Sequence, residues 1–243
     1  MHSKKSGRPP WMKSLSKTQE DLAIVMSADK ETQLRQELID YGRQAYDLGF
    51  SSEFEGNLSA RLGPDRILMT PSQMPYPQRT VADVALLDAN GNMISGTRRA
   101  SSEAKMHLAI YKARPDVNAV VHAHPLYLSV LAVMGEPLKM VLDEMTPFLG
   151  GPVEVSEFAG SGTQELADNV VKALGPRSGA LIANHGSVSA ARSLPWAFTI
   201  TKSMEKFAHI YYLAYAAGKA RTVPEERQKQ MIQYFEMLKT RTT

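Results

Sequence analysis

Apolar residues recur at intervals of three and four along the first fifth of the chain, which is the spacing of one face of a helix. The pattern runs from Thr18 to Gly49 and predicts one or two helices, with Gly49 as the stop. The apolar positions that define it are Leu22, Val25, Met26, Leu34, Leu38, Tyr41, Ala45 and Leu48.

Alternation of polar and apolar positions replaces the helical spacing after Gly49. Residues 50–62 predict a half-buried strand, and Gly63-Pro64-Asp65 turns the chain into a second strand, Arg66–Met69. Another hairpin is predicted where Val84–Leu87 and Met93–Ile94 flank an Asn-Gly turn. The sheet is therefore expected to be partly antiparallel.

The rest of the chain mixes both patterns. Ser101-Ser102-Glu103 predicts the start of a helix that ends at Arg114-Pro115, and Ala119–His122 predicts an apolar strand. Further helices are predicted at residues 125–133, 162–174 and 194–217, and further strands at 138–142, 153–155 and 180–184. The mixture predicts an α/β fold with a single domain over residues 18–243, after a flexible basic tail at residues 1–17.

Composition narrows the class of protein. The 243-residue sequence lacks cysteine, carries a formal net charge of +3 and has no apolar run of membrane-spanning length. Disulfide frameworks and thiolate metal sites are excluded, and no basic stripe with a nucleic-acid motif stands out. We expect a cytoplasmic protein that binds neither nucleic acid nor membrane, and that uses histidine and carboxylate for any metal it holds.

Histidines stand at the ends of two predicted strands. His122 and His124 are two residues apart, so on a strand both rings point to one face and reach one ion. His185 follows a second apolar strand, and three neutral imidazoles suit a zinc site that leaves one position open. The alternative is a polar pair that ends a strand at the surface.

Glu103 is the fourth candidate ligand and a candidate general base. It stands in the first turn of the helix that leads to the His122 strand, where a carboxylate is also an ordinary helix-start residue. His107 lies four residues on, on the same helix face, and is either a partner that orients Glu103 or a packing residue.

Small polar clusters at turns and helix starts form a candidate anion site. Backbone N–H groups are unpaired at such positions and bind phosphate. The clusters are Gly56-Asn57, Ser72 and Ser101-Ser102.

Five ordered motifs between Leu34 and Ala217 resemble the class II aldolase/adducin family. They are Gly56-Asn57-Leu58-Ser59-Ala60-Arg61, Thr70-Pro71-Ser72, Ser101-Ser102-Glu103, His122-Ala123-His124-Pro125 and Asn184-His185-Gly186. The resemblance implies an α/β/α sandwich around a mostly antiparallel central sheet, assembled as a homotetramer with active sites between subunits.

The resemblance also implies roles for individual residues. It makes Glu103 the carboxylate that ligates the empty metal and becomes the acid/base with substrate. The zinc ligands that it implies, one ion per subunit, are His122, His124, His185 and Glu103, although imidazole suits several divalent ions. The phosphate-binding positions that it implies are Gly56, Asn57, Ser72, Gln73, Ser101 and Ser102.

The implied activity is a zinc-dependent lyase that cleaves a ketose 1-phosphate, such as fuculose 1-phosphate, into dihydroxyacetone phosphate and an aldehyde. Two departures leave other reactions open. Gln73 replaces a glycine of the aldolase motif, and Glu144 stands near the place of a catalytic tyrosine, where dehydratases of the family carry glutamate; it is a candidate second acid/base. The alternatives are a metal-dependent dehydratase or decarboxylase, and a non-catalytic adducin-like interaction module.

Overall fold

Within residues 10–241, seven strands form one sheet in the order β4-β3-β2-β1-β5-β7-β6. All neighbouring strands pair antiparallel. The strands are β1 (Asn57–Gly63), β2 (Arg66–Met69), β3 (Ala85–Asp88), β4 (Met93–Ser95), β5 (Ala119–Ala123), β6 (Gly179–Ile182) and β7 (Gly186–Ala191). Both predicted hairpins, β1-β2 and β3-β4, are confirmed.

The structure is a computed structural model that describes the backbone of residues 10–241 and the side chains of residues 28–239. Its helices are α1 (Pro10–Asp47), α2 (Ala104–Ala113), α3 (Leu126–Met134), α4 (Thr146–Leu149), α5 (Gln164–Leu174), α6 (Leu194–Ala216) and α7 (Glu225–Arg241). Residues 1–9 of the predicted basic tail lie outside the described part, and the backbone of residues 10–17 is helical as the start of α1.

Helices cover both faces of the sheet. Val120 and Val121 are neighbours on β5, yet they belong to separate cores because successive strand residues point to opposite faces. The core around Val121 includes residues of α1, α3 and α6, and the core around Val120 includes residues of α2 and α5. The predicted α/β/α sandwich around an antiparallel sheet is confirmed.

Several predicted element boundaries were wrong. The strand predicted at residues 50–62 begins only at Asn57, because the chain turns through Gly56, whose φ is +70°. The strands predicted at 138–142 and 153–155 are reduced to the single bridges Leu138 to Val153 and Val155 to Leu181. Sequence periodicity identifies these apolar positions correctly, but it cannot show how many consecutive residues pair with a neighbouring strand.

Three of these elements, α4, β7 and α7, were not predicted. β7 is rich in glycine, serine and alanine, which have low strand propensity, but all of its residues are buried between β5 and β6. α7 is mostly polar, and it is held to the body by the buried ring of Phe235, which lies against Gly150. Over the described residues 10–241, none of the helices combines the length and apolar character needed to cross a bilayer.

Candidate metal centre and active site

His122 is fixed at the centre of the sheet. It lies on β5, between β1 and β7, and its side chain is fully buried. Its Nδ1 is 2.9 Å from the carbonyl oxygen of Ser187 on β7. Because a carbonyl only accepts, Nδ1 carries the proton and donates, which leaves Nε2 to face the site. A backbone hydrogen bond that sets the tautomer in this way is typical of metal-binding histidines.

His124 and His185 approach His122 from the ends of two strands. His124 follows β5, and His185 sits in the three-residue loop that joins β6 to β7. This loop turns because Asn184 adopts a left-handed conformation, with φ of +55°, which asparagine tolerates better than most residues. Gly186 then leaves space for the His124 ring, since a Cβ there would lie 2.6 Å from His124 Cδ2.

The three predicted histidine ligands converge. One ring nitrogen from each of His122, His124 and His185 lies within 4.8 Å of the others. Their ring centroids are 4.8 to 4.9 Å apart with edge-on orientations. The ends of separate strands therefore create one cluster of imidazole nitrogens, which could hold a metal ion.

Glu103 joins this cluster from the start of α2. Its Oε2 is 3.0 Å from His122 Nε2, and its Oε1 is 3.6 Å from His185 Nε2. The side chain is buried and points at the histidines rather than capping its helix. Two donors hold the carboxylate: Asn57 Nδ2 at 2.8 Å from Oε2 and Ser161 Oγ at 2.9 Å from Oε1.

Burial and neighbouring charges shift the pKa values of Glu103, His124 and His185 and so set their protonation states. Burial acts to raise the pKa of Glu103, but the charge of His122 and hydrogen bonds from His122 and Asn57 outweigh it and hold the pKa well below its usual range. Burial, with the charges of His122 and His185, lowers the pKa of His124 to about 4. Burial also lowers the pKa of His185. These two imidazoles are therefore neutral near pH 7, which is the form that binds metal.

The donor set fits a divalent cation. With Nδ1 of His122 donating to Ser187, its Nε2 faces two further groups, the Glu103 carboxylate at 3.0 Å and His124 Nε2 at 3.0 Å. A carboxylate and neutral ring nitrogens are all acceptors, so they need a shared positive charge. Burial acts to lower the pKa of His122, but the charge of Glu103 and its hydrogen bond to the ring outweigh burial and raise it. Three imidazoles and one carboxylate are ligands that zinc and similar metals prefer.

The predicted phosphate positions come together beside this cluster. Thr70 pairs with Leu58 near the start of β1, through its backbone N–H and through its hydroxyl, which accepts from Leu58 N–H. Pro71 bridges to Ala100, and Ser72 N–H donates to the carbonyl of Arg99. The chain therefore brings Gly56-Asn57, Ser72-Gln73 and Ser101-Ser102 onto neighbouring segments.

The backbone conformation of Gln73 and the hydrogen bonds of Asn57 bear on how this site could bind an anion. Gln73 has φ of +51°, a left-handed conformation that glycine adopts more easily than a residue with a Cβ. The Asn57 amide donates to Glu103 and accepts from His107 Nε2, 2.6 Å away. Among its side-chain donors, only the second Nδ2 hydrogen is left for an anion.

Glu144 stands apart from these residues. It lies in a one-turn 3-10 helix, Asp143–Met145, with its side chain exposed. In the part of the chain that the structure describes, no hydrogen bond or ion pair joins Glu144 to the histidine cluster. Its assignment as a second acid/base stays a prediction.

Three neighbours of the cluster were not predicted from the sequence. Glu55 Oε2 lies 3.7 Å from His124 Nδ1, Ser161 donates to Glu103, and the Ser187 carbonyl accepts from His122. Ser161 is flanked by Gly160 and Gly162, and that Gly-Ser-Gly run is the one sequence signal that could have drawn attention to it. A backbone carbonyl leaves no signal in a sequence.

Known proteins resemble this chain over most of its length. Residues 36–212 match the family described as Class II Aldolase and Adducin N-terminal domain. The 5-deoxy-D-ribulose 1-phosphate aldolase of Bacillus thuringiensis serovar kurstaki is 32% identical over 203 residues, which cover 83% of this chain and 95% of that protein. The L-fuculose phosphate aldolase of Escherichia coli O6:H1 is 30% identical over 182 residues, which cover 75% and 84%.

The fold is shared as well. A solved structure of an L-fuculose 1-phosphate aldolase matches with a TM-score of 0.80 and 37% identity, over 84% of this chain and 96% of that one. The family match spans the three histidines, Glu103 and the segments that surround them. The chain therefore belongs to the class II aldolase and adducin family, and it is an enzyme of the class II aldolase type.

Proposed function

We propose that this chain is a zinc-dependent lyase that cleaves a ketose 1-phosphate into dihydroxyacetone phosphate and an aldehyde. The observation that carries the proposal is the convergence of three imidazoles, two of which lie within 3.6 Å of the Glu103 carboxylate. His122, His124 and His185 would hold the metal, with Glu103 as a fourth ligand before substrate arrives. When bound, such an ion supplies Lewis-acid polarisation of the substrate oxygens.

Glu103 would carry the proton in both halves of the reaction. As a carboxylate it accepts the proton of the C4 hydroxyl, the C3–C4 bond breaks to give the aldehyde, and the bond electrons pass to the ketone half. The same group then returns the proton to C3, which completes dihydroxyacetone phosphate. Asn57 and Ser161 support this role, because they hold both carboxylate oxygens at 2.8 and 2.9 Å.

The phosphate would occupy the segments beside this carboxylate. Gln73 and Ser102 offer backbone N–H groups, and Ser72, Ser101 and Ser102 offer short hydroxyl side chains, close to the start of α2, where the helix dipole favours an anion. At Gly56 the packing of the protein leaves no space for a side chain, since a Cβ there would lie 2.5 Å from Ser51 Oγ and 2.9 Å from the carbonyl oxygen of His122.

The relatives favour a deoxyketose phosphate as substrate. A relative from Rhodospirillum rubrum, 32% identical over 202 residues, is a 5-methylthioribulose-1-phosphate/5-deoxyribulose-1-phosphate aldolase. Together with the Bacillus enzyme it supports a ketose 1-phosphate whose far end lacks a hydroxyl. Fuculose 1-phosphate, the substrate named for other relatives, is the comparison compound.

Decarboxylation is the second candidate, because a 3-oxo-tetronate 4-phosphate decarboxylase of Haemophilus influenzae is 30% identical over 180 residues. Dehydration with Glu144 as a second acid/base is an extension of the same metal chemistry. A non-catalytic adducin-like module is disfavoured by the complete histidine cluster.

Metal analysis and a substrate panel test the proposal together. We expect about one zinc ion per chain in protein purified without chelator, and its loss in His124→Ala but not in the control His209→Ala. Dihydroxyacetone phosphate should appear from 5-deoxyribulose 1-phosphate, 5-methylthioribulose 1-phosphate or L-fuculose 1-phosphate. Carbon dioxide from 3-oxo-tetronate 4-phosphate, with none of the other cleavages, would replace the aldolase assignment by decarboxylation.

We also propose a homotetramer with sites between subunits. Large apolar side chains are exposed on α3 and α6, and their burial between subunits would remove them from water. They include Leu126, Val133, Ile210 and Leu213. Light scattering after size-exclusion chromatography should give about four chain masses, and a monomer that retains full activity would overturn this assembly.

A further inference from the structure

A series of hydrogen-bonded, buried polar side chains leads from Glu103 into the protein and is called the file below. Asn57 and Ser59 lie two residues apart on β1, so they share one face of the sheet. Glu103, His107 and Tyr111 follow one another at four-residue intervals and share one face of α2. The four residues behind Glu103 are almost completely buried, with Ser59 and His107 at 0% exposure, Tyr111 at 3% and Asn57 at 4%.

Each member of this file touches the next. Asn57 Nδ2 is 2.8 Å from Glu103 Oε2, and Asn57 Oδ1 is 2.6 Å from His107 Nε2. On the other side of its ring, His107 Nδ1 is 2.7 Å from Ser59 Oγ, which in turn is 2.8 Å from the Tyr111 hydroxyl. The file therefore links the candidate acid/base carboxylate to a phenol four groups away.

The chemistry of the groups gives the file one direction. A carboxylate only accepts, so the amide nitrogen of Asn57 faces Glu103 and its oxygen faces His107, which must donate through Nε2. Burial lowers the pKa of His107 to about 3, so the ring is neutral and its Nδ1 accepts from the Ser59 hydroxyl. Burial also raises the pKa of Tyr111, which stays protonated and donates to the Ser59 oxygen.

Direction matters because an asparagine side chain has two nearly equivalent orientations. A flipped Asn57 would present its oxygen to Glu103 Oε2 and its nitrogen to His107. Both new pairs are unfavourable, since the first sets two acceptors together and the second sets two donors together in a buried place. His107 is the group that makes the second pair unfavourable.

We propose that Tyr111, Ser59 and His107 fix the orientation of the Asn57 amide, and that His107 is thereby a positioning residue for Glu103. The inference rests on the proposed function, in which Glu103 moves the proton. It predicts that His107 affects the proton-transfer step without holding the metal or the phosphate.

Two substitutions of His107 separate donation from packing. His107→Met fills the space without a donor, and His107→Gln keeps an N–H for Asn57. We expect His107→Met to lower kcat about 10- to 100-fold with KM within about twofold and metal content unchanged. His107→Gln should recover most of this loss, and His209→Met should match wild type.

A half-reaction gives a more direct measurement. Exchange of the C3 hydrogen of dihydroxyacetone phosphate with deuterated water reports proton transfer alone, and it should slow in His107→Met in parallel with kcat. Equal losses in the Met and Gln variants, or a fall in metal content that parallels the fall in kcat, would reject the positioning role.

A spectrum of the wild-type protein tests the file without any substrate. Long-range nitrogen–proton correlation on 15N-histidine protein near pH 7 should show His107 neutral, with Nε2 protonated and Nδ1 bare. The opposite tautomer or an imidazolium would refute the proposed direction, and this result stands even where His107→Met does not fold. If wild type cleaves no ketose phosphate but shows this tautomer, the proposed function fails and the hydrogen-bond direction survives.

Discussion

Gly186 and the His124 ring are packed so closely that a side chain at position 186 would collide with the ring. A Cβ at Gly186 would lie 2.6 Å from His124 Cδ2 and 2.8 Å from the carbonyl oxygen of Ala123. Because the carbonyl belongs to the buried β5 strand, the His124 ring is the neighbour that would move. Gly186 therefore controls where one of the three imidazoles points.

Gly186→Ala should weaken metal binding. We expect about a 10- to 100-fold loss of zinc affinity, measured by competition with a chromophoric chelator, because the ring of His124 leaves the common centre. Gly63→Ala is the matched control, since a Cβ there enters open space. Equal affinity in the two variants would show that the ring adapts without loss.

Ser161→Ala should impair catalysis more than metal binding. The hydroxyl donates to Glu103 Oε1 at 2.9 Å, and its loss leaves that oxygen held only by more distant groups. We expect kcat to fall about tenfold with metal content maintained, and Ser161→Thr to restore the hydrogen bond. Steady-state kinetics on the best substrate of the panel checks this, and unchanged kcat in Ser161→Ala would contradict it.

Gln73 should tolerate glycine but not a branched side chain. Its left-handed conformation costs roughly 1–2 kcal/mol in a residue with a Cβ. Glycine avoids this cost, but it destabilises the folded state by roughly 0.5–1 kcal/mol because it gives the unfolded chain more conformational freedom. Urea unfolding should therefore place Gln73→Gly within about 1 kcal/mol of wild type or above it, and Gln73→Val clearly below.

Gln73→Gly also tests whether the Gln73 side chain narrows the phosphate site. If its side chain narrows the site, Gln73→Gly should lower KM for the ketose phosphate by a few-fold while kcat stays similar. A rise in KM would instead show that the side chain contributes to binding.

His107 should make stability depend on pH. Its pKa is about 3 in the folded protein and about 6.5 when unfolded, so between these values only the unfolded chain binds the proton. Above pH 6.5 His107 is neutral in both the folded and the unfolded state, so its protonation does not affect stability. As the pH drops from 6.5 toward 3, the free energy of unfolding falls. The free energy of unfolding of metal-free wild type should fall more steeply than that of His107→Gln, by about 1.4 kcal/mol per pH unit. Parallel curves from denaturant titrations at pH 4.5, 5.5 and 6.5 would contradict this assignment.

The sequence predicts the parts of the fold that depend on local pattern. The hairpins around Asn90-Gly91 and Gly63-Pro64-Asp65 and the helix after Glu103 follow from turn and capping chemistry, and the structure confirms them. β7 depends instead on tertiary burial, because its small residues have low strand propensity and all of them are buried in the sheet between β5 and β6. Such burial leaves no periodic trace.

The same division holds at the site. The His-x-His spacing predicts that two rings share one face, and the second apolar strand, which ends just before His185, predicts that this residue could join them. The hydrogen bonds to Glu103 from Asn57 and Ser161 join residues 46 and 58 positions apart, which no local pattern relates. The sequence places Glu103 and His107 on one face of a helix, but it relates neither Tyr111 nor the partner face on β1 to them.

The bidentate contact between Asp143 and Arg227 ties the turn that carries Glu144 to α7, with both oxygen–nitrogen distances at 2.7 Å. The family match ends at residue 212, so α7, Glu225–Arg241, lies outside the matched segment. A change within α7 would therefore act on the turn that carries Glu144 without touching the side chains that face the candidate metal centre. In this architecture the position of that turn and the geometry of the histidine cluster can be altered independently.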